Sequence, residues 1–230
     1  MRCIGIVGGM SWESTAHYYR ALNQGVKARL GGYHSARLVL HSVDFAELEA
    51  LQREGRWGEA GAALQAAVRG LEAAGADFVL LAANTMHKVA DQMMAGAGIP
   101  LLHIADVTAA AIRRAGLGTV GLLATRYTME QAFYVDRLAS RGLRVLVPGP
   151  ADRAEVHRVI FEELVLGQAR PASRTRYLEV AGRLVGAGAQ GIVAGCTEIG
   201  MLLRPGELAL PLFDTAELHV EAALDLALAP

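Results

Sequence analysis

The chain has 230 residues, 53% of them hydrophobic, with 22 Lys and Arg against 23 Asp and Glu for a formal net charge of −1. That length can bury a substantial core in one large or two small domains. The near-zero charge removes any global electrostatic case for binding nucleic acid or an anionic membrane.

Short apolar runs of strand length alternate with longer helical patterns along the chain. Strands are predicted at residues 3–7, 37–41, 78–82, 101–103, 119–123, 144–147 and 191–194. Continuous apolar runs of this kind suit parallel strands covered on both faces by helices. Helices are predicted at residues 13–29, 57–74, 107–115, 129–140, 154–166 and 173–187. Three of them end in Ala-Gly (Ala74-Gly75, Ala115-Gly116, Ala187-Gly188), the pattern of a glycine C-terminal cap. Strand and helix alternating at this length predict doubly wound α/β sheets. No apolar run approaches the ~20 residues of a membrane-spanning helix. Met1-Arg2 runs directly into the first strand, so no signal peptide is expected. Cys3 and Cys196 lie too far apart to suggest a disulfide framework, and a cytoplasmic location is expected.

The chain is written twice. Ile4-Gly5-Ile6-Val7-Gly8 is echoed by Val120-Gly121-Leu122-Leu123-Ala124. The run 78–85 is echoed by 191–198, and 99–106 by 210–217. The offsets are nearly constant: 116 from Gly5 to Gly121, 113 from Ala83 to Cys196, and 111 from Ile99 to Leu210. The expectation is two pseudo-symmetric doubly wound α/β domains whose parallel-sheet cores face each other across a cleft. The first comprises residues 1–98 plus 210–230 and the second residues 99–209, with the C-terminal helix returning to the first. No Pro- or Ser-rich linker separates them.

Ligands of open parallel sheets bind beyond the carboxyl ends of the strands, near helix N-termini. Four strand-to-helix junctions therefore carry the candidate chemistry. At Gly8-Gly9-Met10-Ser11 the glycines would allow close approach of the backbone, and Ser11 with the following amides could hold a carboxylate. The spacing matches neither a dinucleotide-binding nor a nucleotide-triphosphate loop. Asn84, Thr85, Thr125 and Thr197 could cap helices while offering hydroxyl and amide groups to a carboxylate. Capping explains each singly; their recurrence at symmetric positions points to a site. Cys196, after a strand and before a predicted helix, is expected to have a lowered thiol pKa, because a helix N-terminus favours thiolate. Cys3 reads as a small buried hydrophobe. Gln52 and Arg53 are weaker candidates for a side-chain contact, since a planar guanidinium can grip a carboxylate with two bonds. The seven histidines have no metal-ligand spacing, and no metal is expected.

Gly8-Gly9-Met10-Ser11, Asn84-Thr85 and Gly195-Cys196-Thr197-Glu198, together with the repeat, resemble the aspartate/glutamate racemase family over essentially the whole chain. Segments 9–15, 84–88 and 125–129 resemble its broad-specificity amino-acid racemase branch. The resemblance implies enzymes that work without cofactor, and frequently as homodimers, on a small amino-acid substrate. In their chemistry one cysteine removes the α-proton and a second returns one from the opposite face. It also implies substrate-contacting roles for Met10, Ser11, Asn84, Thr85, Thr125, Thr197 and Glu198. The family's first cysteine falls on Ala83, which can neither donate nor accept a proton; Cys196 matches the second. Ala83, native or introduced, therefore marks the position of a missing acid/base. Three readings stay open: a racemase-type site working from one face, a one-thiol decarboxylase or isomerase of small dicarboxylates, and a non-catalytic amino-acid binder.

Overall fold

The structure, a computed structural model, describes residues 1–204 and 206–229. Pro205 and Pro230, inside the expected domain ranges, lie outside the described residues. In chain order the elements are β1 (Ile4–Gly8), α1 (Trp12–Leu30), β2 (Leu38–Ser42), α2 (Phe45–Arg53), α3 (Trp57–Ala73), β3 (Phe78–Leu81) and a 3₁₀ turn, Thr85–Val89. They continue with α4 (Ala90–Met93), α5 (Ile104–Arg114), β4 (Thr119–Leu123), α6 (Arg126–Glu130), α7 (Ala132–Ser140), β5 (Arg144–Leu146) and α8 (Pro150–Glu162). The last are α9 (Pro171–Gly186), β6 (Ile192–Ala194), β7 (Leu212–Asp214) and α10 (Thr215–Leu228).

All the strand pairs are parallel, in a three-stranded sheet of order β2-β1-β3 and a four-stranded sheet of order β5-β4-β6-β7. The fold class is therefore α/β with two parallel sheets, and the repeat is visible in the topology. In both sheets the first strand is central, flanked by the second on one side and the third on the other. Even the fourth strand has a counterpart, because Leu101 bridges Val79 in parallel as Phe213 pairs with Val193.

The chain divides into two compact units, Met1–Ile104 with His219–Pro230, and Ala105–Leu218. These boundaries lie later than the expected 98/99 and 209/210. Around the Leu101 bridge the Val79 N–H donates to the Pro100 carbonyl at 2.8 Å and the Leu102 N–H to the Val79 carbonyl at 2.9 Å, which keeps residues 99–104 with the first sheet. Leu212–Asp214 pairs with β6, which keeps it in the second. From His219 onward the C-terminal helix belongs to the first unit.

Local sequence explains the elements. In the first unit α1 buries Thr15, Tyr18, Leu22 and Val26, one stripe at helical spacing, and α3 buries Ala60, Leu64, Ala67, Val68 and Leu71. β1 and β3 are buried throughout, whereas β2 at the sheet edge is half exposed. Gly75, Gly116 and Gly188 take φ of 88°, 74° and 99°, as the Ala-Gly endings predict. Proline opens α8 and α9, so both begin earlier than expected. Four elements depart from expectation. The predicted helix 129–140 is broken by an extended Gln131. Residues 101–103 make one bridge rather than a strand, and α2 and β7 were not expected at all.

Candidate active site

Between β1 and β3, and again between β4 and β6, the chain order reverses, which makes each pair a topological switch point. The residues just beyond those strand ends form two half-sites, one per unit. Register makes them equivalent: Ala83 stands two residues past Leu81, the last paired position of β3, and Cys196 two past Ala194, the last of β6. Both are buried, Ala83 at 7% and Cys196 at 8% exposure, so the difference between them is chemical rather than positional.

In the first unit Ser11 caps α1 by accepting from the Ser14 N–H at 3.4 Å. Thr15 locks the turn, donating to the Ser11 carbonyl at 2.9 Å and accepting from the Gly9 N–H at 2.7 Å. Gly9 has φ 95°, and a Cβ there would sit 2.2 Å from the Val43 carbonyl oxygen. The close approach that Gly9 permits is made to the Val43 backbone. Met10 and Ser11 are buried beside this turn, and the Ser14 hydroxyl, equally buried, finds no hydrogen-bond partner among the described residues. Asn84 and Thr85 are also buried, but the Asn84 side chain does not cap the 3₁₀ turn that follows it. His87 Nδ1 lies 2.7 Å from the Ala83 carbonyl, and the Ile104 N–H approaches its Nε2 at 3.4 Å. These partners put the proton on Nδ1, which donates to Ala83; the ring packs 4.4 Å from that of His103. Both ring nitrogens of His87 thereby meet backbone groups.

Gln52 and Arg53 come from α2. Gln52 is buried and donates to the Met86 sulfur at 3.1 Å, while Arg53 is exposed and paired with Glu49 at 2.9 Å. An exposed i,i+4 pair is weak, yet its presence means Arg53 already has a carboxylate.

The second half-site holds the thiol and a buried carboxylate, Glu198. Thr125 caps α6, accepting from the Thr128 N–H at 3.4 Å. Cys196 follows β6 in a tight run, where a Cβ at Gly195 would lie 2.7 Å from the Leu122 side chain and 3.1 Å from the Ala124 Cβ. No α-helix begins behind Cys196; a short 3₁₀ turn, Ile199–Met201, takes that place. The Cys196 thiol lies 3.0 Å from Glu198 Oε2, which also accepts from the Thr197 hydroxyl at 2.9 Å. Burial pushes the Cys196 thiol well above its ordinary range, and the charge of Glu198 adds to that. The expected lowering is therefore reversed: desolvation and a neighbouring carboxylate outweigh any benefit from a helix terminus. At rest the thiol keeps its proton and donates it to Glu198.

Residues that the sequence reading passed over complete this half-site. Tyr177 on α9 donates to the Val156 carbonyl at 2.8 Å, and its phenol is raised by burial and by the charge a thiolate at Cys196 would carry. His157 on α8 accepts from the Arg126 N–H at 3.3 Å. Asp214, at the end of β7, caps α10 through the Ala216 N–H at 2.9 Å. No local motif marks Tyr177 or His157, because helix packing brings them to the strand ends from distant sequence. Among the described residues no group of three or more His, Cys, Asp or Glu side chains is placed to hold a metal ion.

The Asp/Glu/Hydantoin racemase family profile matches residues 7–223. The chain belongs to this family. A candidate Asp/Glu racemase from Yersinia pestis is similar over 99% of this chain and 100% of its own, at 50% identity and a TM-score of 0.92. An aspartate racemase homologue from Pyrococcus horikoshii OT3 is 32% identical with a TM-score of 0.86, covering 99% of both chains. An aspartate racemase from Picrophilus torridus shares the fold at 22% identity, with a TM-score of 0.77 over 98% of this chain and 94% of that one. Membership and these likenesses support an isomerase of the racemase type. Among the described residues, no helix is long and apolar enough to cross a membrane.

Proposed function

We propose that this racemase-family chain transfers the α-proton of free amino acids without a cofactor, using Cys196 as its acid/base. The observation that carries this reading is the Cys196–Glu198 contact at a sheet switch point, 3.0 Å long and buried. An α-proton is very weakly acidic, so its removal needs a base close by and stabilisation of the charge that develops on the substrate carboxylate. For Cys196 to act as base, its own proton must leave first, and Glu198 Oε2 is in position to take it. A substrate ammonium group entering the site would favour the thiolate further. In the reverse direction the protonated thiol returns a proton to the carbanion. Glu198, proposed from sequence as a substrate contact, is better read as the partner of Cys196, because its Oε2 accepts from both Cys196 and Thr197. Met10, Ser11, Asn84, Thr85, Thr125 and Thr197 remain the proposed carboxylate-orienting groups, and the unpartnered Ser14 hydroxyl adds a further polar atom next to Ser11. Gln52 and Arg53 are retained only as peripheral contacts.

Ala83 occupies the position where a second acid/base would stand. The proposal is therefore exchange at one face of the substrate, with slow net inversion. A homodimer in the cytoplasm completes the reading. A second reading has support of its own: a thiol held protonated, with alanine at the register-equivalent position of the other unit, is the state that a decarboxylase protonating one face would need.

One experiment separates the two. Proton NMR in deuterium oxide would follow L- and D-aspartate, glutamate and several neutral amino acids with the native chain, Cys196→Ser and Ala83→Cys, with a malonate series alongside. Exchange of one enantiomer, lost in Cys196→Ser and converted to racemisation in Ala83→Cys, is the expected result. Carbon dioxide release from a malonate with no amino-acid exchange would transfer the proposal to decarboxylation. Silence in every arm would leave amino-acid binding alone.

A further inference from the structure

We propose that Arg126 is the residue that selects substrates carrying a second carboxylate. This inference rests on the racemase reading and deepens it by naming a specificity determinant within the second unit. Register fixes the placement. Leu123 and Ala194 are the last paired positions of β4 and β6, so Thr125 and Cys196 stand level beyond neighbouring strands, which lie about 4.8 Å apart. Arg126 is the next residue, the first of α6, and it is exposed.

Its surroundings hold it in place without neutralising it. The guanidinium lies over the Tyr127 ring at 5.1 Å, with Nη2 3.4 Å from the Tyr127 hydroxyl. Its backbone N–H is anchored to His157, whose ring stands edge-on to Tyr127 at 5.7 Å and packs against Phe161 at 4.6 Å. The His157 pKa is pushed down to about 4, by burial first and then by the Arg126 charge, so this neighbour brings no second cation near neutral pH. The nearby Glu130 is taken by Arg153 at 3.0 Å, and no carboxylate pairs with Arg126 among the described residues. Most arginines of this unit, such as Arg137, Arg158 and Arg183, are paired with acids. A braced arginine with an open charge, one strand away from the thiol, suits an incoming anion. In aspartate the second carboxyl carbon is two bonds from the Cα that Cys196 addresses, and in glutamate three. A guanidinium takes a carboxylate with two parallel bonds, which an alanine or serine substrate cannot supply. Arg53, the cation favoured by sequence, already pairs with Glu49.

The test compares the native chain with Arg126→Met, which keeps the apolar stem, and Arg126→Lys, which keeps the charge. Thermal melts check that both fold. Deuterium exchange gives kcat and KM for aspartate and for alanine, and calorimetry gives the affinity for each. The expected result in Arg126→Met is a fall of about tenfold or more in the aspartate-to-alanine ratio of kcat/KM, carried by KM, with partial recovery in Arg126→Lys. An unchanged ratio, or an equal loss for both amino acids, would overturn the assignment. If no amino acid exchanges with any variant, the racemase reading fails by itself. Calorimetry still decides Arg126: aspartate binding weakened selectively in Arg126→Met supports it, whereas aspartate binding absent from the native chain or unaltered in the variant overturns it.

Discussion

A thiol and a methyl group at register-equivalent positions make the chemistry of this protein a question about single residues. Cys196 is held protonated because the thiolate would be desolvated and would face the Glu198 carboxylate. Removing that negative charge makes the thiolate less unfavourable. In Glu198→Gln the Cys196 thiol should therefore titrate at lower pH, seen as thiolate absorbance near 240 nm appearing earlier in an alkaline titration against a Cys196→Ser blank. The same variant should lose proton exchange by roughly a hundredfold, since the acceptor for the thiol proton is gone. A titration unmoved by Glu198→Gln would remove the carboxylate from the mechanism. Sequence marked Cys196 because it follows a strand, precedes a predicted helix and matches the family's second cysteine. It misjudged the direction of the pKa because desolvation depends on packing from elements far along the chain.

At the scale of elements, each half-site is a strand end, a tight turn and a cap. The turn after β1 depends on Gly9, whose positive φ and closeness to Val43 exclude a side chain. Gly9→Ala should cost about 2 kcal/mol or more, read as a lowered midpoint in urea unfolding. A neutral result would mean that the turn relaxes readily and contributes little to placing Ser11. The glycine caps were legible because they act over a single turn of chain, whereas the proline starts of α8 and α9 were missed by two to four residues. The break at Gln131, the strand β7 and the helix α2 were not. Gln131 carries no breaker signal, β7 has three residues, and α2 shows a short pattern that any amphipathic loop could share.

At the scale of the whole molecule, the C-terminal helix closes the first unit. His219 on α10 accepts from the Tyr18 hydroxyl at 3.0 Å and donates to the Leu102 carbonyl at 2.8 Å, while Arg29 pairs with Glu221 and Asp225. Burial pushes the His219 pKa down to about 4. A histidine whose pKa is depressed on folding binds fewer protons folded than unfolded, so stability is full above about pH 6.5 and falls as pH drops toward 4. The expected loss by pH 5 is about 2 kcal/mol, measured by urea unfolding across pH. His219→Phe should flatten that slope although it weakens the protein at neutral pH. An unchanged slope would locate the acid sensitivity elsewhere.

Sequence by itself determined the α/β class, the internal repeat, the strand ends that carry Cys196 and Ala83, and the family. The class, the repeat and the strand ends rest on periodicity and spacing along the chain; the family rests on the resemblance of the motifs around Ser11, Asn84 and Cys196. Tertiary structure alone decided that the unit boundaries follow hydrogen bonds around Leu101 and at β7, that Arg53 is already paired while Arg126 is open, and that the Cys196 thiol holds its proton. Pairing, burial and electrostatic environment are set by residues distant in the chain, and only folding brings them within reach of one another.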